Sequence, residues 1–106
     1  KVTVKEGFAV ELKGGRIAEK LLNRLKKTGK NAFNIAEFGI GTNNRAKISG
    51  NMLEDEKVMG TIHIAFGNNI GFDGRTDVPL HIDCLMRSPD FWFDDKLVMK
   101  SGKFLI

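Results

Sequence analysis

The chain has two histidines, and each sits in an apolar, strand-like stretch. In "VPLHIDCLMR" (residues 78–87) His81 and Asp83 are two apart. Alternate residues of a strand share a face, so this pair projects together while Leu80, Ile82 and Cys84 project the other way. In "TIHIAFG" (61–67) His63 shares a face with Thr61 and Ala65, small neighbours that leave room for an imidazole. Neutral imidazole and carboxylate oxygen suit zinc, manganese or ferrous iron. His63, His81 and Asp83 thus form a candidate set of two histidines and one carboxylate. Glu37 is a fourth candidate: it stands on the Phe33 and Ile35 face of "NAFNIAEFGIG", where an ionised carboxylate is costly unless a cation or several donors meet it.

Other chemistries fit less well. Cys84 is three residues from His81, on the opposite face of a strand, which rules out the geometry of a Cys-His dyad. "GIGTNN" (39–44) starts like a dinucleotide fingerprint but has Asn44 at the third glycine position, and no phosphate loop or nucleophile elbow is present. Arg16, Lys20, Arg24 and Lys27 fall on one helical face and could follow a phosphate backbone. Glu19 interrupts that stripe and no aromatic residue lies among the cations, so a solvated face is expected rather than nucleic-acid binding.

The elements that must position these residues are legible in the patterning. "KVTVKEGFAVELKGG" reads as two short strands around Gly7. A helix is expected over 15–28, with Ile17, Ala18, Leu21, Leu22 and Leu25 on its apolar face and Gly29 at its end. A strand through Phe33, Ile35 and Glu37 follows, then a Gly/Asn-rich loop and a short helix capped by Asn51. The strand with His63, a glycine-punctuated loop and the strand with His81 come next. Three short strands turning at Asp94-Asp95 and Ser101-Gly102 close the chain. The expected fold is α+β: a single domain over 1–106, with a mixed or mainly antiparallel sheet and one amphipathic helix. Its core would hold Ile17, Leu21, Leu22, Leu25, Phe33, Ile35, Ile62, Ile64, Leu80, Ile82 and Leu97.

At 106 residues the chain can build one core. A formal charge of +4 raises the question of anionic partners without answering it. The lone Cys84 excludes an intramolecular disulfide, and no apolar run is long enough to span a membrane. A cytoplasmic setting is expected. The start at Lys1 and the apolar end "KFLI" suggest a fragment of a longer chain.

Taken in order, "NIAEFGIGTN", "GNMLEDEKVMGTIHIAFG" and "VPLHIDCLM" resemble the C-terminal part of the thermophilic-aminopeptidase family of metallopeptidases, the aminopeptidase T and aminopeptidase S relatives often described as leucyl aminopeptidases. The resemblance runs from about Phe8 to Ile106. It implies Glu37, His63, His81 and Asp83 as ligands of paired divalent ions (zinc, cobalt or manganese), hydrolysis of N-terminal residues from peptides, and a homodimer. It also implies a further glutamate upstream, whose absence would leave this fragment inactive, and a tyrosine after the first histidine. The chain has no tyrosine; Ile70 and Phe72 occupy that neighbourhood. A relative within the family, the dihydroxypyridine ring-cleaving dioxygenase, holds one ferrous iron with two histidines and an aspartate, which His63, His81 and Asp83 would satisfy. A third reading is a non-enzymatic structural or interaction domain.

Overall fold

The structure, a computed structural model, describes residues 1–105; Ile106, the last residue of the expected domain and of the family resemblance, lies outside the described residues. The fold is α+β, as the patterning predicts, and it divides into two compact units.

The first unit comprises Lys1–Glu37 and Ala65–Ile82. Strands β1 (Val2–Lys5) and β2 (Phe8–Leu12) form an antiparallel hairpin. Helix α1 spans Gly15–Thr28 and ends where the Gly29 N–H bonds the Leu25 carbonyl at 3.0 Å. It packs against β2 and a 3₁₀ turn over Lys30–Phe33. Leu25 is fully buried, Leu21 and Leu22 are half-buried, and all four cations of the stripe face water. Ile17, expected in the core, is 84 % exposed. At 100° per residue it lies at the rim of the face centred on Leu21, Leu22 and Leu25, one turn too early to be covered.

Phe33 also departs from expectation: it ends the 3₁₀ turn, half-buried, and strand β3 (Ile35–Ile40) starts two residues later. Asn34 marks the change. Its buried side chain donates Nδ2–H to the Gly67 carbonyl at 3.0 Å, and the Gly67 N–H returns a bond to the Asn34 carbonyl at 2.8 Å. Gly67 has φ 101°, and a Cβ there would run into the Leu80 carbonyl, so only glycine fits this crossing. Ala9, Leu25, Ala32, Ala65, Phe66 and Leu80 form the interior of this unit.

The second unit comprises Phe38–Ile64 and residues 83–105. Helix α2 (Met52–Asp55) is capped as expected, with the Asn51 side chain accepting the Leu53 N–H at 3.0 Å. Its last residue, Asp55, is buried and accepts from the Ser49 and Gly50 backbone N–H groups at 2.7 and 3.0 Å. Strands β6 (Phe91–Phe93), β7 (Lys96–Lys100) and β8 (Lys103–Phe104) form an antiparallel meander. Val98 and Met99 of β7 are buried in succession, whereas the expected core residue Leu97 is half-buried.

Strands β3, β4 (Thr61–Gly67) and β5 (His81–Arg87) lie in that order in a three-stranded sheet. These three strands carry all four candidate ligands. Every residue of β4 but Ile64 is buried, so the two-faced pattern expected there becomes a strand covered on both sides. Ile35, Ile64 and Ile82 are half-buried rather than core. Among the described residues no helix is long and apolar enough to cross a membrane.

Candidate metal centre

His81 is the first residue of β5 and Asp83 follows two residues on, so strand geometry alone places their side chains on one face. Glu37, midway along β3 and half-buried, faces His81: the Oε2 to Nε2 distance is 3.5 Å. Glu37, His81 and Asp83 each offer a ligand atom, and these three atoms all lie within 4.8 Å of one another. Three of the four sequence candidates are therefore brought together.

His63 does not join that group among the described residues. It is buried in the middle of β4, with Nε2 4.0 Å from Glu56 Oε2, an electrostatic neighbour too distant for a hydrogen bond. Gly39 leaves space for the ring: a Cβ at Gly39 would overlap the imidazole. The glycines of "GIGTNN" thus serve close packing rather than phosphate binding. The place of Glu56 beside His63 depends on how α2 leads into β4.

The ring of His81 is oriented by contacts that its own segment does not announce. Nδ1 lies 2.8 Å from the Asn68 carbonyl, and Phe72 lies near-parallel to the ring. A carbonyl only accepts, so Nδ1 carries the proton of the neutral ring and Nε2 carries the lone pair. Three potential ligand atoms, from His81, Glu37 and Asp83, then converge.

The donor set fits a divalent ion. Neighbouring ligands at about 2.1 Å from one ion stand about 3–3.4 Å apart, close to the His81 to Glu37 separation. Two carboxylates and one neutral imidazole balance a double positive charge. Cys84 takes no part: it is half-buried, and burial first and the Asp83 charge second push its thiol pKa up, the reverse of an activated nucleophile.

Comparison with known proteins settles the family. A family model described as "NicX: 2,5-dihydroxypyridine 5,6-dioxygenase" matches residues 1–106. Among solved structures, that of 2,5-dihydroxypyridine dioxygenase from Pseudomonas putida KT2440 superposes with a TM-score of 0.77 at 25 % identity over 98 % of this chain. The match takes in 33 % of that protein, so the chain spans about a third of its length. No curated protein matches the sequence.

These findings correct the expected thermophilic-aminopeptidase membership, and with it the hydrolase, aminopeptidase and metallopeptidase assignments: the family is one of oxidoreductases. The physical reason is that glutamate, histidine and His-x-Asp blocks specify how an ion is held, not which reaction it supports. The lack of tyrosine was the sequence signal against the peptidase. A divalent metal cofactor accords with both the oxidative chemistry and the three-residue cluster. The chain belongs to the NicX family, 2,5-dihydroxypyridine 5,6-dioxygenase.

Proposed function

We infer that this chain is the metal-holding part of a dioxygenase that opens a dihydroxylated aromatic ring of the dihydroxypyridine type. The observation that carries the reading is the convergence of Glu37, His81 and Asp83 within 4.8 Å in a chain of this family. Ferrous iron is the ion proposed in place of zinc, cobalt or manganese, because the reaction class needs a metal that changes oxidation state. When bound, it would supply the one-electron chemistry that lets dioxygen react with an aromatic ring.

The chain's own residues divide the remaining work. His81 presents Nε2 while its Nδ1 proton is held by the Asn68 carbonyl. Glu37 and Asp83 offset the charge of the ion, and the half-buried position of both limits competing water. His63, packed against Gly39 with Glu56 4.0 Å away, is a buried imidazole on the neighbouring strand. A cytoplasmic setting, in which the lone Cys84 stays reduced, belongs to the same reading.

The test is anaerobic loading of the chain with ferrous iron, elemental analysis, and then oxygen uptake with 2,5-dihydroxypyridine. One iron per chain, lost in His81→Ala, and oxygen consumed in step with loss of the aromatic absorbance are expected. Bound iron with no uptake on any dihydroxylated pyridine or benzene would overturn the oxidative reading.

A further inference from the structure

An imidazole at the start of a strand has two tautomers and a ring free to turn about Cβ–Cγ. His81 occupies such a position, and the loop before it limits both freedoms. The Asn68 carbonyl, 2.8 Å from Nδ1, admits only the Nδ1–H form of the neutral ring. The lone pair is thereby placed on Nε2, the atom facing Glu37. Phe72 lies against the ring with centroids 6.3 Å apart and planes inclined by 23°, which restricts its rotation.

Both contacts come from a loop that is bonded to itself at every turn. The Asn68 side chain donates to Asp77 Oδ1 at 3.0 Å and to the Val78 carbonyl at 3.2 Å, and accepts the Ile70 N–H at 3.0 Å. Its backbone N–H bonds the Leu80 carbonyl at 2.8 Å. The Asn69 carbonyl accepts the N–H groups of Phe72 and Gly74 at 3.0 and 2.9 Å, and its side chain accepts the Thr76 N–H at 3.0 Å. One asparagine therefore fixes the carbonyl that selects the tautomer, and the next fixes the backbone that carries the stacking ring.

The geometry points to Asn68 and Phe72 as positioning residues that select the tautomer and ring plane of His81 for a divalent cation. The inference rests on the metal-site reading above and extends it from the ligands to the loop that aims one of them. Outer partners of a ligating histidine generally affect metal affinity by about 10–100-fold. Asn68 acts through its side-chain clasp, since any residue there retains a carbonyl.

Two measurements test it. Long-range proton–nitrogen NMR on the ¹⁵N-histidine-labelled, metal-free chain, followed upward in pH until the ring has lost its charge, reads the tautomer. Titration with cobalt(II) alone reads the affinity. The native chain is expected to show an unprotonated Nε2. Asn68→Ala should admit the Nε2–H form and bind cobalt about 10–100-fold more weakly. Phe72→Ala should weaken binding, and Phe72→Tyr should restore it. A native Nε2–H tautomer, or variants with unchanged tautomer and affinity, would overturn the proposal. Should Asn68→Ala fail to fold, Asp77→Ala at the exposed end of the clasp and the Phe72 pair carry the same test. A native chain that binds no cobalt, yet loses the Nδ1–H tautomer in Asn68→Ala, would sink the metal-site reading while the positioning role stands.

Discussion

Gly39 and His63 are packed so closely that the imidazole occupies the space a β-carbon at Gly39 would need. A residue on β3 with no side chain and a buried ring on β4 thus form one interlocked pair. Gly39→Ala is expected to cost about 1–3 kcal/mol, the usual penalty of forcing a group into a filled interior. The pair makes a sharper prediction than the single change. In the His63→Ala background the ring is gone, so Gly39→Ala should cost much less, a coupling readable by urea denaturation of the four proteins. Equal cost in both backgrounds would show that the ring yields without strain.

Metal retention should depend on pH in one direction. Ligation requires neutral imidazole and ionised carboxylates, so protons compete with the ion as pH falls. Stoichiometric binding at neutral pH is expected to weaken progressively towards about pH 5, through the range where an ordinary histidine gains its proton. Asp83→Asn and Glu37→Gln should each lower the affinity at neutral pH by removing one negative charge from the cluster. Isothermal titration at several pH values reads both effects, and affinity unchanged by acid would exclude His81 as a ligand.

Much of this site was legible because period-two spacing is a local property. His81 and Asp83 share a face wherever a strand contains them, and Glu37 was conspicuous as a carboxylate in apolar company. The helix over 15–28 and the Asn51 cap were legible for the same reason, each being set by residues within a few positions. Long-range closure was not. Asn68 and Phe72 reach His81 only through the folding of the loop between β4 and β5, and Glu56 meets His63 only through the path of the chain after α2. Ile17 and Phe33 misled because an apolar side chain at the rim of a face has the same letter as one at its centre. The family is not legible in these residues because the same ligand types hold ions for hydrolysis and for oxidation.

The Asn34 side chain predicts a local weakness. It is buried, and its Nδ2 satisfies the Gly67 carbonyl at 3.0 Å where β4 ends. Asn34→Ala leaves that carbonyl without this donor, a loss of about 1–3 kcal/mol for a buried acceptor. Asn34→Asp retains the shape but turns a donor into an acceptor facing an acceptor, and should cost at least as much. Hydrogen exchange resolves the effect: amides near Gly67 should lose more protection than those of α1, whereas uniform loss would mean global destabilisation only.

Asp55 organises the turn before β4 by accepting bonds from the loop that precedes α2. Its two oxygens take the Ser49 and Gly50 N–H groups, and Oδ1 also lies 3.3 Å from Ser49 Oγ, while the side chain is buried. Ser49 and Gly50 are exposed, so removing the carboxylate leaves their N–H groups to water and frees the turn from Asp55. Asp55→Ala is expected to cost about 1–3 kcal/mol. Asp55→Asn should lie between it and the native chain, because one oxygen survives and the new NH₂ opposes a backbone N–H. The loop leads through Val58 and Thr61 into the strand that carries His63, and Thr61 Oγ1 is itself anchored on the Val58 carbonyl at 2.8 Å. Loosening it should therefore broaden the His63 ring resonances before it changes those of His81. Equal broadening of both histidines, or a melting temperature unaffected by Asp55→Ala, would show that the turn is held by something other than this carboxylate.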